Sequence, residues 1–220
     1  QRDWFVQHLG WTPLKQAALP DRYLDILRYR DALFVLSSPR TSDSPVAEYL
    51  RTYAQGVADV AIEVNDLAAT LNRLGSVAKP QTALSPLLSQ LALSSQNTSP
   101  SAWLSISGWG GLCHTLIERP IERPVDSFQA SFESDTHRSI SKGIDHIVLN
   151  VPAGELQPAA KFYQGLFELQ KQQSFNIQTT QSGLNSQVLF APTSQLYFNI
   201  NEPTNASSQI QTFLDANHGA

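Results

Sequence analysis

The 220-residue chain contains no methionine and a single cysteine, Cys113. One thiol excludes an intramolecular disulfide framework and a multi-cysteine zinc site, so a bound metal would have to use histidine, carboxylate or solvent. Charge is sparse: 15 Lys and Arg against 19 Asp and Glu give a net −4, and the basic residues never gather beyond a scattered pair. That pattern argues against a nucleic-acid or anionic-membrane partner. No apolar run approaches the roughly 18–20 residues of a membrane span, and the N-terminus lacks the basic start, apolar stretch and cleavage site of a signal peptide. A soluble, cytoplasmic protein is expected. Because the chain opens on Gln1 and closes on Gly219 and Ala220 directly after a helix-like segment, we expect it to be incomplete at both ends.

Apolar periodicity then sets out the elements. Trp4, Phe5 and Leu9 recur at helical spacing before Gly10, and Arg22 to Ser37 reads as two strands joined at Arg30 and Asp31. A helix is predicted over Pro45 to Ala54, a strand over Gly56 to Val64, and a helix capped by Asn65 or Asp66 up to Gly75. After a Ser/Gln/Pro-rich excursion from Lys79 to Pro100, Trp103 to Ile106 and Leu112 to Ile117 form a hairpin. Glu118 to Gly143 has thin apolar patterning and many serines, which suits a linker. Up to Val125 the chain carries 11 basic and 11 acidic residues, and afterwards 4 and 8. Beyond the linker come a strand over Ile144 to Val151, a helix marked by Leu156, Ala159, Ala160, Tyr163, Leu166 and Phe167, three further strands, and a helix from Ser208 to Asn217.

This order, β-α-β-β-β and then α, repeats an earlier one. Val57 to Val64 laid over Ile144 to Val151 aligns every apolar position, and Trp4-Phe5 and Leu9 echo Phe162-Tyr163 and Leu166-Phe167. The expected fold is α+β, built from paired βαβββ modules, of which the first lacks its opening strand. Residues 1–125 form an N-terminal domain, 126–142 a linker, and 143–220 the first half of a C-terminal domain. In the overlay Asp59 stands where the last module has His146.

His146 lies early in an apolar strand behind Asp145. On the cavity side of a curled sheet its imidazole could hold a divalent metal, and buried in the core it would bond to backbone. Cys113 beside His114 suggests a thiol and a base, but neighbours in a strand point to opposite faces. Gly108 to Gly111 lacks the Lys and Ser/Thr of a phosphate loop. His8 and His137 read as solvated, and Trp103 and Trp109 as packing residues.

Five further segments change the weight of these readings. Gly143 to Pro152, Phe162-Tyr163, Ser182 to Ser186 with Asn199 to Pro203, and Ser208 to Leu214 together resemble the 4-hydroxyphenylpyruvate dioxygenase family, in order and over about residues 140–220. Gly56 to Ala61 and His114 to Arg119 resemble its non-catalytic N-terminal domain. The resemblance implies the vicinal oxygen chelate, or glyoxalase-dioxygenase, fold. It implies a mononuclear Fe(II) held by two histidines and a glutamate, leaving open positions for the substrate's 2-oxo acid and for O₂. The implied reaction converts 4-hydroxyphenylpyruvate and O₂ to homogentisate and CO₂, in a homodimer or homotetramer. His146 matches the first ligand, and the other two fall beyond Ala220. Ser186, Asn201 and Gln209 match substrate-binding positions, although the first two could instead satisfy strand-end backbone groups. Asn199 departs from the pattern, standing where many members have proline. The alternatives are a hydroxymandelate synthase, or a non-catalytic binding protein of the same fold.

Overall fold

The computed structural model describes residues 1–29, 32–74, 80–81, 102–118, 144–180, 182–192 and 196–218. The linker prediction and the hairpin tip at Arg30 and Asp31 therefore fall almost wholly outside the described residues.

The opening unit is the helix α1 (Arg2–Leu9) followed by a meander of β1 (Thr12–Ala18), β2 (Arg22–Tyr29) and β3 (Ala32–Pro39), paired antiparallel in the order β1-β2-β3. Trp11, Leu27 and Ala32 form its small core, and Phe5, Val6 and Phe34 pack against them. The helix α2 (Pro45–Thr52) starts where the Ser44 hydroxyl accepts from the Ala47 N–H at 3.0 Å, with proline at the one position where its missing N–H costs nothing.

Two βαβββ modules follow. The second module comprises β4 (Ile62–Val64), α3 (Leu67–Leu74), β5 (Pro80–Gln81), β6 (Ala102–Ser107) and β7 (Cys113–Glu118), in the sheet order β4-β7-β6-β5. The third comprises β8 (His146–Asn150), α4 (Leu156–Phe167), β9 (Gln170–Gln178), β10 (Gly183–Ala191) and β11 (Leu196–Pro203), in the order β8-β11-β10-β9. In both, the first strand runs parallel to the last and the remaining pairs are antiparallel. The closing helix α5 (Gln209–Asn217) lies against β11 and β8.

The repeat extends to single residues. Asp59 bridges Cys113 as His146 pairs Tyr197, so His114 occupies the place of Phe198, and Leu116 that of Ile200. At the strand ends Glu118 and Glu202 occupy matching places, and each reaches over to its own module's helix. The Glu118 carboxylate accepts from the Leu67 N–H at 2.7 Å, and Glu202 Oε2 accepts from Gly154 and Leu156 N–H at 2.9 and 3.2 Å. These bonds satisfy donors that a helix start leaves unpaired. At the other end, α1 and α4 both stop in left-handed conformation, on Gly10 (φ 69°) and Glu168 (φ 54°).

The second and third modules share one apolar core. Leu156, Ala159, Ala160, Tyr163 and Leu166 form the buried stripe of α4, which packs with Leu149, Leu189, Phe198 and Ile200 beneath it and with Ile106 and Leu116 of the second module. Between the two modules His114 is fully buried, its Nε2 3.0 Å from the Tyr163 hydroxyl and its Nδ1 3.2 Å from the Val60 carbonyl. A carbonyl can only accept, so Nδ1 carries the proton and Nε2 accepts from Tyr163. The Trp109 backbone N–H donates to the same hydroxyl at 3.2 Å. Burial pulls the His114 pKa from 6.5 down to about 4 and pushes the Tyr163 phenol well above its ordinary value, so both are neutral near pH 7.

Three sequence expectations need correction. β1 was not expected, and the predicted strand from Gly56 narrows to Ile62–Val64 plus the single bridge at Asp59. The short β5 also falls inside the stretch read as a surface excursion, whereas the helices and the other strands fall near where the periodicity places them, with Asp66 capping α3 through the Ala69 N–H.

Candidate active site

The third module's sheet has one face covered by α4 and a second, more open face, with α5 lying against β11 and β8. Leu149, Phe198, Ile200 and Leu189 face the helix, so the alternate residues face the other way. Pairing register then assembles the open face strand by strand. His146, Val148 and Asn150 of β8 lie beside Tyr197, Asn199 and Asn201 of β11, and these beside Phe190, Val188 and Ser186 of β10. Phe175 and Ile177 of the exposed edge strand β9 complete it.

His146 is about half exposed, and its Nδ1 is 2.7 Å from Asp145 Oδ2. The carboxylate accepts, so Nδ1 carries a proton, and in the neutral ring Nε2 is the nitrogen left to bind a metal, the arrangement in which a metal-binding histidine is commonly held. The core-histidine reading is thereby overturned: the strand's alternation turns this ring away from α4. Ser186 and Asn201 sit directly opposite each other on paired strands, four residues or about 13 Å along from His146. Asn201 Nδ2 donates to Asn150 Oδ1 at 3.3 Å, so its partner is a side chain rather than the strand-end backbone. Gln209 is not drawn into this face by any bond of its side chain among the described residues. It opens α5, exposed, with its backbone N–H on the Ser182 hydroxyl at 3.2 Å.

Sequence reasoning missed Asn150 and Tyr197, which flank the predicted residues. The signal was present, since both are the cross-strand partners that the βαβββ order dictates. A shallow cavity of about 370 Å³ lies around Gln157, Ser174, Asn176, Asn185 and Glu202 and is also lined by Phe175 and Ser186; His146 is not among its lining residues. Cys113 has its thiol pKa raised by burial, and His114 lies in the core, so the two do not form a nucleophile and base. Among the described residues no three His, Cys, Asp or Glu side chains come together. The donor chemistry of His146 fits one iron ligand; nothing described supplies the second or third.

No model of a known protein family matches the chain. Compared with solved structures, it superposes over 99% of its length on a variant of 4-hydroxymandelate synthase from Streptomyces coelicolor, with a TM-score of 0.75, 23% identity and 63% of that chain covered. The chain has the vicinal oxygen chelate fold. By sequence this vicinal oxygen chelate chain is 31% identical over its full length to an uncharacterised protein of Synechocystis, of which it spans 58%. It is 25% identical over 232 aligned residues to the 4-hydroxyphenylpyruvate dioxygenase of Caenorhabditis briggsae, covering 96% of this chain and 57% of the relative. It thus spans a little over half the length of these curated relatives. None of its described helices is long and apolar enough to cross a membrane.

Proposed function

We propose that the chain belongs to an Fe(II)-dependent dioxygenase that converts 4-hydroxyphenylpyruvate and O₂ to homogentisate and CO₂. The observation that carries this reading is the shared open face, with an imidazole lone pair at one end and the Ser186 hydroxyl and Asn201 carboxamide at the other. An aromatic 2-oxo acid laid along the strands meets a metal ligand with its acid end and hydrogen-bonding groups with its phenol. Bound iron would activate O₂ and polarise the 2-oxo acid. His146 would be one ligand, held in its tautomer by Asp145. Asn201 would bond the phenol, its amide orientation set by Asn150, while Ser186 adds a hydroxyl from the next strand. A site built to bond a hydroxyl rejects analogues lacking it. Val148, Phe190 and Phe175 present apolar surface to the ring. The reading takes a small-molecule substrate, a cytoplasmic homodimer or homotetramer, and neither nucleic acid nor membrane as partner.

The test is oxygen uptake by the natural full-length protein with Fe(II) and 4-hydroxyphenylpyruvate, followed by chromatography of the product. Homogentisate is expected. 4-Hydroxymandelate is its isomer, so retention time rather than mass separates them, and its appearance would reassign the chain to the synthase. Failure to bind stoichiometric Fe(II) under anaerobic titration would leave the non-catalytic binding protein.

A further inference from the structure

Asn199 sits at the centre of the open face, two residues from Tyr197, the partner of His146, and two from Asn201. Its Oδ1 is buried and, among the described residues, has no hydrogen-bond partner. Its cross-strand neighbours are Val148 and Val188, neither of which can donate from its side chain. A buried acceptor left unpaired is destabilising, and native structures rarely keep one without a reason such as a water or a ligand. Nearby, Asn201 donates its Nδ2 to Asn150, which leaves its own carboxamide oxygen the role of acceptor. The two asparagines thus stand about 6.6 Å apart along one strand, each with an acceptor oxygen. The soft χ2 of asparagine lets Oδ1 of Asn199 swing to a ligand.

We propose that Asn199 is a specificity-determining residue that selects a ring carrying two hydroxyl donors in para relation, one meeting Asn201 and the other Asn199. This rests on the functional reading above and deepens it. The reaction places a new hydroxyl on the ring carbon that bore the side chain, para to the original phenol, and Asn199 lies from Asn201 in the direction of His146, where that carbon would lie. The residue would therefore bond the product of ring hydroxylation and have no such partner in a product hydroxylated on the side chain.

The experiment is calorimetric titration of the metal-free full-length protein with 2,5-dihydroxyphenylacetate and with 3-hydroxyphenylacetate, which lacks the second ring hydroxyl, in the wild type and in Asn199→Leu, a substitution close in shape. The wild type is expected to bind the dihydroxy compound about 10-fold more tightly, and Asn199→Leu to bring the two within about 2-fold, in keeping with one hydrogen bond. A thermal melt checks folding; Asn199→Leu removes a buried unpaired acceptor and is expected to melt no lower. Equal affinities in the wild type, or a preference that survives in Asn199→Leu, overturns the proposal. Turnover of 4-hydroxyphenylpyruvate measured in parallel separates the two ideas. A preference without turnover upholds Asn199 and sinks the reaction, whereas turnover without preference does the reverse.

Discussion

Replacing Tyr163 by Phe removes one oxygen from the seam between the second and third modules and strands two groups there. His114 Nε2 loses the donor it holds at 3.0 Å, and the Trp109 N–H loses its acceptor at 3.2 Å. The imidazole cannot escape by moving its proton, because that would set a lone pair on Nδ1 against the Val60 carbonyl and bury an unpaired N–H instead. An unsatisfied buried acceptor costs about 1–3 kcal/mol and a lost neutral hydrogen bond about 0.5–1.5, so the change should destabilise by about 2–4 kcal/mol. For a chain of this size that corresponds to a fall of about 5–15 °C in Tm. Urea unfolding should show a lower midpoint at unchanged slope. The decisive comparison adds His114→Leu. With the acceptor itself removed, the double variant should lose less than the two single variants together. A Tyr163→Phe protein within about 0.5 kcal/mol of wild type, or strict additivity in the cycle, would refute the reasoning.

Three other outcomes are expected. His114, its pKa pulled from 6.5 to about 4, binds a proton more readily unfolded than folded, so stability holds above pH 6.5 and declines by up to about 3 kcal/mol as pH falls to 4; thermal melts across that window should show a slope that His114→Leu flattens. Glu202→Ala should cost about 2–3 kcal/mol by freeing the Gly154 and Leu156 N–H groups and the Asn185 amide, and hydrogen exchange should speed up first at the start of α4. Glu168→Gly relieves a left-handed residue at the cost of an exposed 3.5 Å ion pair with Arg73, so melting should rise by about 1–2 °C.

The sequence carried the helices well because their signals are local: Ser44, Asp66 and Ser208 sit at caps, and the α4 stripe repeats at helical spacing. β1 escaped notice because Thr12–Ala18 has no apolar alternation and only Thr12 as a β-branched residue; β2 supplies its register, and Pro13 is tolerated at the sheet's edge beside a bulge. The family resemblance named His146, Ser186 and Asn201 as candidates, and the pairing register places all three on one face of the sheet. Asn150 was hidden because its role depends on which strand lies alongside, which a parallel first-to-last pairing decides at long range. The Glu118 and Glu202 caps were hidden for the same reason, each closing a helix 51 or 46 residues earlier in the chain.

That first-to-last pairing also imposes a schedule on synthesis. His146 and its partner Tyr197 are 51 residues apart, and Ile62 and Leu116 are 54 apart. At roughly 5–20 residues per second the ribosome needs about 3–10 s to deliver the partner of each opening strand. During that interval Ile147 and Leu149 have no sheet to enter, and any other unpaired edge in reach competes for them. The strand bearing His146 therefore has its longest exposure to mispairing before its module exists, and a holdase chaperone binding it then would raise the yield of folded protein without touching the finished fold.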